Sequence, residues 1–291
     1  MTSYLARLFY LGDHYHGSQY QPSLITVQGE LIKALSKWSG EPHSTQTVQL
    51  SGRTDKGVHS IGQLVMITTD FQFNIDKINR HLPDDIILWA FAESPPTFVP
   101  RYDVLMRHYR YYLDESWTNL NINAVKQTIP LLIGSKDFSQ ISKPDTGRNT
   151  TNTTTLLNIS IHNYNDTVYL DIFGTRFLWK LVRKMVTLLT EIGHERIKSE
   201  LINDILQGRN VLPSGIQPAP PENLVLVETV VPIRMKKSKY AIRIIQNKLN
   251  DQFEQYRRSL RTVNNLIDYF FEPMKTSPPS TKQKNRSHSS D

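Results

Sequence analysis

The chain has no cysteine in its 291 residues. That absence excludes disulfides, cysteine-ligated zinc and thiol catalysis together. No apolar run approaches the roughly 20 residues a helix needs to span a bilayer. Negative charge is in short supply: 27 Asp and Glu face 34 Lys and Arg, a net +7, and the isoelectric point is near 9.4. Such a balance fits a nucleic acid or another polyanion as partner, although a merely basic protein would share it. The stretch from Met1 to Leu11 carries Arg7 inside an alternating pattern, so it reads as a strand and not as a signal peptide. A cytoplasmic protein is expected, in which sequons such as Asn152-Thr153-Thr154 mean nothing.

What is present begins with a core. Hydrophobic residues make up 38% of a chain long enough for one large domain or two ordinary ones. The densest chemistry lies in Ser51 to His59, which reads Ser-Gly-Arg-Thr-Asp-Lys-Gly-Val-His. Asp55 is its one carboxylate, with Arg53 and Lys56 close by and His59 at the end. Strand-like runs at Thr47 to Leu50 and Leu64 to Thr68 flank it, and a loop between strands is a favoured place for a site. From its local pattern, Asp55 is equally a turn residue whose side chain caps a backbone amide.

The coarse order is βαββαβ, twice. In the first half Tyr4 to Leu11 is a strand, and Val27, Leu31, Ala34, Leu35 and Trp38 share a helix face capped by Thr26. The two strands around the glycine loop, a short helix through Ile75, Ile78 and Leu82, and a strand from Ile86 to Phe91 follow. The second half has a strand over Val104 to Leu113 and a helix through Ile122, Val125, Ile129 and Leu132. A hairpin of Asn152 to Ile161 with Val168 to Phe173 turns around Asn165-Asp166. Helices over Phe177 to Ile192 and Glu195 to Leu206 and a strand over Leu224 to Val231 complete it. Tyr240 to Ile245 is expected as an edge strand. The expected fold class is α+β, two ferredoxin-like halves in one continuous mixed or antiparallel sheet with a central cleft. The domains are residues 1–100, 101–250, a C-terminal helix over 251–272 and a disordered basic tail over 273–291.

Gly52-Arg53-Thr54-Asp55-x-Gly57-Val58-His59 resembles the active-site motif of the tRNA pseudouridine synthase A family. Tyr10-x-Gly12-x-x-Tyr15-x-Gly17-x-Gln19-x-Gln21 with Thr26-Val27-Gln28 is similar to its N-terminal signature. Leu82-Pro83-x-Asp85-Ile86, Phe98-x-x-Arg101-Tyr102, Arg107-x-Tyr109-x-Tyr111 and Gly134-x-x-Asp137-Phe138 follow in the family's order. Phe177-x-x-x-x-Val182-Arg183 and Pro218-Ala219-Pro220-Pro221-Glu222-Asn223-Leu224 complete a likeness that covers about residues 4 to 231.

The resemblance implies the pseudouridine synthase fold with an RNA-binding cleft. It also implies isomerisation of uridine to pseudouridine in the tRNA anticodon stem-loop, usually at tRNA positions 38 to 40, by a homodimer with no cofactor or metal. Asp55 would be the catalytic carboxylate, either attacking C1′ or removing a C2′ proton. Tyr109 would pack against the base and is a candidate for helping remove the C5 proton, while Tyr111 stays a core residue. Arg183 would pair with Asp55 across the cleft, joining the halves; without the resemblance it would be an arginine snorkelling from its helix edge. Arg53 and His59 are expected to contact RNA or orient the loop, and Arg101 to help displace the target base.

Basic groups at Arg176, Lys180, Arg183 and Lys184 on one helix, at Arg234, Lys236, Lys237 and Lys239 after the last strand, and at Arg257, Arg258 and Arg261 on the C-terminal helix suit phosphate tracking, or simply a solvated face. The chain departs from the family pattern at Ser18, Lys56 and Thr187. Lys56 could reach a phosphate or compete with Arg183 for Asp55. Two other functions stay open: a non-catalytic RNA-binding protein on the same fold, and a pseudouridine synthase for another structured RNA.

Overall fold

Strand β1 (Thr2–Tyr10) alternates between two faces. Ala6, Leu8 and Tyr10 cluster with Val27, Leu31 and Leu35 of α1 (Val27–Ser39), whereas Leu5 and Phe9 fall in separate clusters. The Thr26 hydroxyl caps α1 by accepting from the Gly29 amide at 3.2 Å, as its position in the sequence implies. This computed structural model describes residues 1–113, 117, 120–143, 151–164, 167–209, 212 and 215–271. The turn at Asn165-Asp166 and the tail over 273–291 lie outside them.

The first half continues with β2 (Val48–Leu50), β3 (His59–Thr69), α2 (Ile75–Asn79) and β4 (Ile86–Glu93). Its strands pair in the order β4-β1-β3, with β2 on the far side of β3. The second half runs β5 (Met106–Tyr112), α3 (Ile122–Leu132), β6 (Gly134–Asp137), β7 (Thr153–Tyr164), β8 (Thr167–Gly174), α4 (Leu181–Gly193), α5 (Ile202–Leu206) and β9 (Leu224–Val230). It pairs as β9-β5-β8-β7, the same order, with β6 added outside β7. The two sets join in one mixed sheet of ten strands among the described residues, with β10 (Lys236–Lys237) beside β4. The α+β architecture of two βαββαβ halves in a continuous sheet is therefore the one observed.

The seam between the halves is short. β3 pairs with β2 at Val65, Met66 and Ile67, and with β9, in parallel, at His59 and Ser60. At Gly62 a Cβ would meet the Val227 carbonyl oxygen at 2.4 Å, so only glycine lets the two backbones approach this closely. Two buried arginines reinforce the seam. Arg7 pairs with Glu228 and donates to the Thr229 carbonyl. Arg107 donates to the carbonyls of Ser51 and Thr175, both at 2.7 Å.

Three expected elements differ. Glu195 has φ 61°, a left-handed conformation that cannot begin a helix, so Glu195 to Leu206 reduces to a 3-10 turn at Ser199–Leu201 followed by α5. α4 begins at Leu181 and not at Phe177, because Lys180 has φ 62°. Tyr240 to Ile245 is no edge strand. Ser238 accepts from the Ala241 amide at 3.1 Å and starts α6 (Lys239–Phe271), and Ala241, Ile244 and Ile245 pack at helical spacing on Phe9, Ile87 and Trp89. The edge is the two-residue β10 instead.

Residues from Gln246 onward form a separate unit. Within it α6 leaves Leu249, Phe253, Tyr256 and Leu260 exposed on a helix that also carries Arg257, Arg258 and Arg261. No helix among the described residues is long and apolar enough to cross a membrane.

Replacing Arg107 by Leu should leave the buried Ser51 carbonyl and the part-buried Thr175 carbonyl without this donor. The expected loss is about 2–4 kcal/mol, read as a lower urea midpoint at constant slope. An unchanged midpoint would remove Arg107 from the seam.

Candidate active site

Residues 51–58 connect β2 to β3 where the edge of β3 changes partner. β2 ends with Leu50 opposite Val65, and β9 takes over with Val225 opposite His59. The intervening chain can continue neither ladder and leaves the sheet as a loop. His59 is thus the first residue of β3, and its Nδ1 accepts from the Gly12 amide at 3.0 Å. Gly57 has φ +84°, and a Cβ there would meet Pro221 Cγ at 2.9 Å, so glycine lets the loop lie against the second half's proline-rich segment.

A buried polar network fixes the residues before Asp55. The Ser51 hydroxyl bonds to Gln63 Oε1 at 2.8 Å, and Gln63 Nε2 donates to the Gly52 carbonyl at 2.9 Å. The Tyr10 and Thr54 hydroxyls are 2.8 Å apart. Ser18 is fully buried; its Oγ accepts from the Thr54 amide at 2.8 Å, and its own amide donates to the Thr54 carbonyl at 3.1 Å. This two-way clasp gives Ser18, a departure from the family pattern, a structural task next to Asp55.

Both oxygens of Asp55 accept from the second half. Arg183 Nη1 donates to Oδ2 at 2.8 Å, and the Trp179 indole N–H donates to Oδ1 at 3.0 Å. Arg183 is itself held, its Nε donating to the Ala219 carbonyl at 2.5 Å while the Ala219 amide donates to the Arg183 carbonyl at 3.2 Å. Asp55, Lys56, Trp179, Lys180 and Arg183 line a cleft of about 680 Å³.

The model of a family described as tRNA pseudouridine synthase matches residues 129–230. The tRNA pseudouridine synthase A of Methanosarcina mazei is 34% identical over 267 residues, covering 90% of this chain and 97% of that protein. The protein of that name from Methanothermobacter thermautotrophicus is 32% identical over 275 residues, covering 92% and 96%. A third, from Pyrococcus abyssi, is 37% identical over 224 residues, covering 76% and 82%. The chain belongs to the tRNA pseudouridine synthase A family. Pseudouridine synthases are isomerases, and this chain is a member of that enzyme class.

Of the residues singled out in this family member's sequence, Asp55 and Arg183 are in direct contact and Lys56 shares their cleft. Arg183, not Lys56, makes the ion pair with Asp55. Tyr109 is 6% exposed and is not among the residues lining the cleft; it lies edge-on to Phe177 with centroids 5.0 Å apart. Burial pushes its phenol above the usual tyrosine range, the nearby Tyr10 and Asp55 add to the rise, and Arg107 opposes it. Such a phenol keeps its proton through neutral pH. Tyr111 is a core residue. Arg53 and Arg101 are exposed and lie outside the lining of the cleft. The Arg101 carbonyl accepts from Arg107 at 3.4 Å, and the Arg101 charge helps lower the pKa of Arg107, after burial.

Trp179 escaped the sequence reading. A helix starting at Phe177 would have carried it along a helix face; instead the left-handed Lys180 holds residues 177–179 outside α4 and turns the indole to Asp55. That conformation costs a non-glycine residue roughly 1–2 kcal/mol, and the Lys143 amide, donating to the Trp179 carbonyl at 2.8 Å, helps to hold it. Lys143 Nζ also lies 4.1 Å from the indole centroid. Arg176 precedes the helix and donates to the Thr151 and Thr153 carbonyls, so the four cations expected on one helix do not share it. Burial, then Lys180 and Lys143, lowers the pKa of Lys184.

The buried phenols predict an alkaline limit. Burial pushes Tyr10 up to about 12. A group whose folded pKa is raised contributes stability present below its unfolded pKa and lost as pH rises. Stability should therefore fall above about pH 10, by on the order of 2 kcal/mol from Tyr10 alone by pH 12. Tyr10→Phe should flatten the fall in a thermal-melt series against pH; an equally steep fall would rule Tyr10 out as its source.

Proposed function

We propose that this protein isomerises uridine to pseudouridine in the anticodon stem-loop of tRNA, at positions 38 to 40, with Asp55 as the catalytic carboxylate. The observation that carries this reading is the carboxylate at the mouth of the cleft, one oxygen held by Arg183 and the other by Trp179. The volume of about 680 Å³ accommodates a nucleotide turned out of its stack. The relatives' shared name supplies the substrate class.

In the reaction the N1–C1′ bond breaks, the uracil rotates, and a C5–C1′ bond forms as C5 loses its proton to N1 by way of the site. Atoms and electrons balance within the nucleotide. The carboxylate acts at the sugar, by attack on C1′ or by taking the C2′ proton. Each route needs its oxygen held at a fixed angle to the ribose, which the two donors do. Arg183 also offsets the carboxylate's repulsion of the RNA backbone. Tyr109 packs against the base and is the candidate for helping remove the C5 proton. Lys56, Lys143 and Lys180 offer charge to the flanking phosphates, with Arg53 and Arg101 farther out guiding the displaced base. His59 orients the loop through Gly12. The same reading has the enzyme working in the cytoplasm as a homodimer, which sedimentation would check.

Tritium release from C5-labelled uridine in tRNA transcripts tests the assignment. Wild type should release tritium, and Asp55→Asn should lower the rate by at least about 10³-fold at unchanged fold. Release by Asp55→Asn at the wild-type rate would remove Asp55 from the chemistry, and release only from a non-tRNA transcript would move the substrate. Arg183→Met should abolish turnover while shifting the melting midpoint only a few degrees. Full activity in that variant would sink the ion pair's role.

A further inference from the structure

We propose a second RNA-binding site on the face of the sheet opposite the Asp55 cleft, where Arg234, Lys236 and Lys237 ring a cavity beside Trp89. It rests on the reading of this protein as a tRNA-modifying enzyme and adds a contact to tRNA away from the target base.

The placement follows from alternation along β1. Tyr10, which bonds to the loop before Asp55, shares the α1 side with Ala6 and Leu8. Arg7 points the other way, with Leu5 and its cross-strand neighbour Leu64. On that side lies a cavity of about 820 Å³, larger than the Asp55 cleft. Arg7 and Glu228 form part of its lining and neutralise each other: burial lowers the pKa of the guanidinium and raises that of the carboxyl, and each partner's charge opposes the shift. The field of the site therefore comes from Arg234, Lys236 and Lys237, all exposed.

These cations belong to an acid-free segment. From Thr229 to Asn250 the sequence holds Arg234, Lys236, Lys237, Lys239, Arg243 and Lys248 and no Asp or Glu. Pairing of β10 with β4 at Phe91 and Ala90 brings part of this charge against Trp89. The Trp89 indole is fixed by its N–H, which donates to the Ile61 carbonyl at 2.7 Å, and Lys237 Nζ lies 5.8 Å from its centroid. A held aromatic ring with several cations around it is the arrangement that takes a nucleobase against the ring and its flanking phosphates on the charges. A lone inorganic anion would make no use of the ring.

The test compares two RNAs, a whole tRNA transcript and its isolated anticodon stem-loop, by fluorescence anisotropy between about 50 and 200 mM salt. For Arg234→Ala/Lys236→Ala/Lys237→Ala, the dissociation constant for whole tRNA should rise at least about tenfold. The slope of log affinity against log salt should become shallower by about two to three. Affinity for the stem-loop should change less than twofold. In Trp89→Leu, checked for fold by circular dichroism, whole-tRNA affinity should fall several-fold at an unchanged salt slope. Wild-type affinity and slope for whole tRNA in the triple variant would overturn the site. So would an equal loss on both RNAs, which would assign these cations to the stem-loop. Because the readout is binding, a wild type that binds tRNA this way but releases no tritium would count against the proposed reaction alone.

Discussion

One edge of strand β3 is taken by β1, and the other is shared by two partners. β2 occupies Val65 to Ile67 and β9 occupies His59 and Ser60, so the chain entering β3 must leave the sheet between them. The loop that results is the one that carries Asp55. Its position is a consequence of strand pairing, and the parallel contact that creates it is only two residues long. Gly62, the Arg7–Glu228 pair and the two carbonyls bound by Arg107 are what make so short a seam hold. Arg7 and Arg107 are buried, so removing the groups they bind would leave a charge without its partner, which costs more than the bond itself contributes.

The site inherits this division. The first half supplies the carboxylate and the network of Tyr10, Ser18, Ser51, Thr54 and Gln63 that sets its backbone. Among the described residues, the side chains that hold the carboxylate come from the second half: Arg183 from α4 and Trp179 from the turn before it. The left-handed Lys180 is local strain retained because it turns an indole out of a helix and onto a carboxylate. Charge is distributed to match, with cations at the rim of the cleft and again across the sheet beside Trp89.

Much of this was legible in advance. β1, α1, α3, β8 and β9 carry strong apolar periods, and each lies close to its expected bounds. The errors fall where period is weak or ambiguous. Gly134–Asp137 reads Gly-Ser-Lys-Asp, which shows no strand alternation, and it becomes β6 only because β7 offers an edge. Tyr240 to Ile245 suits a strand or a helix; the Ser238 cap and the apolar surface made by Phe9, Ile87 and Trp89 decide for helix. Phe177 to Lys180 is helical by composition, and the contacts of Phe177 with Tyr109 and of Trp179 with Asp55 override it.

By itself, the order of residues determined the duplicated βαββαβ pattern, the loop that holds Asp55 and the excess of positive charge, because each is written in neighbouring residues or in a short period. Tertiary structure alone decided that Trp179, 124 residues away, would complete the hold on Asp55, that Ser18 would clasp Thr54, and that the cations of residues 234–237 would gather around Trp89. Those contacts depend on which strand edges meet and on one residue adopting a left-handed conformation. Both are settled by the packing of the whole sheet, and no local window of sequence contains them.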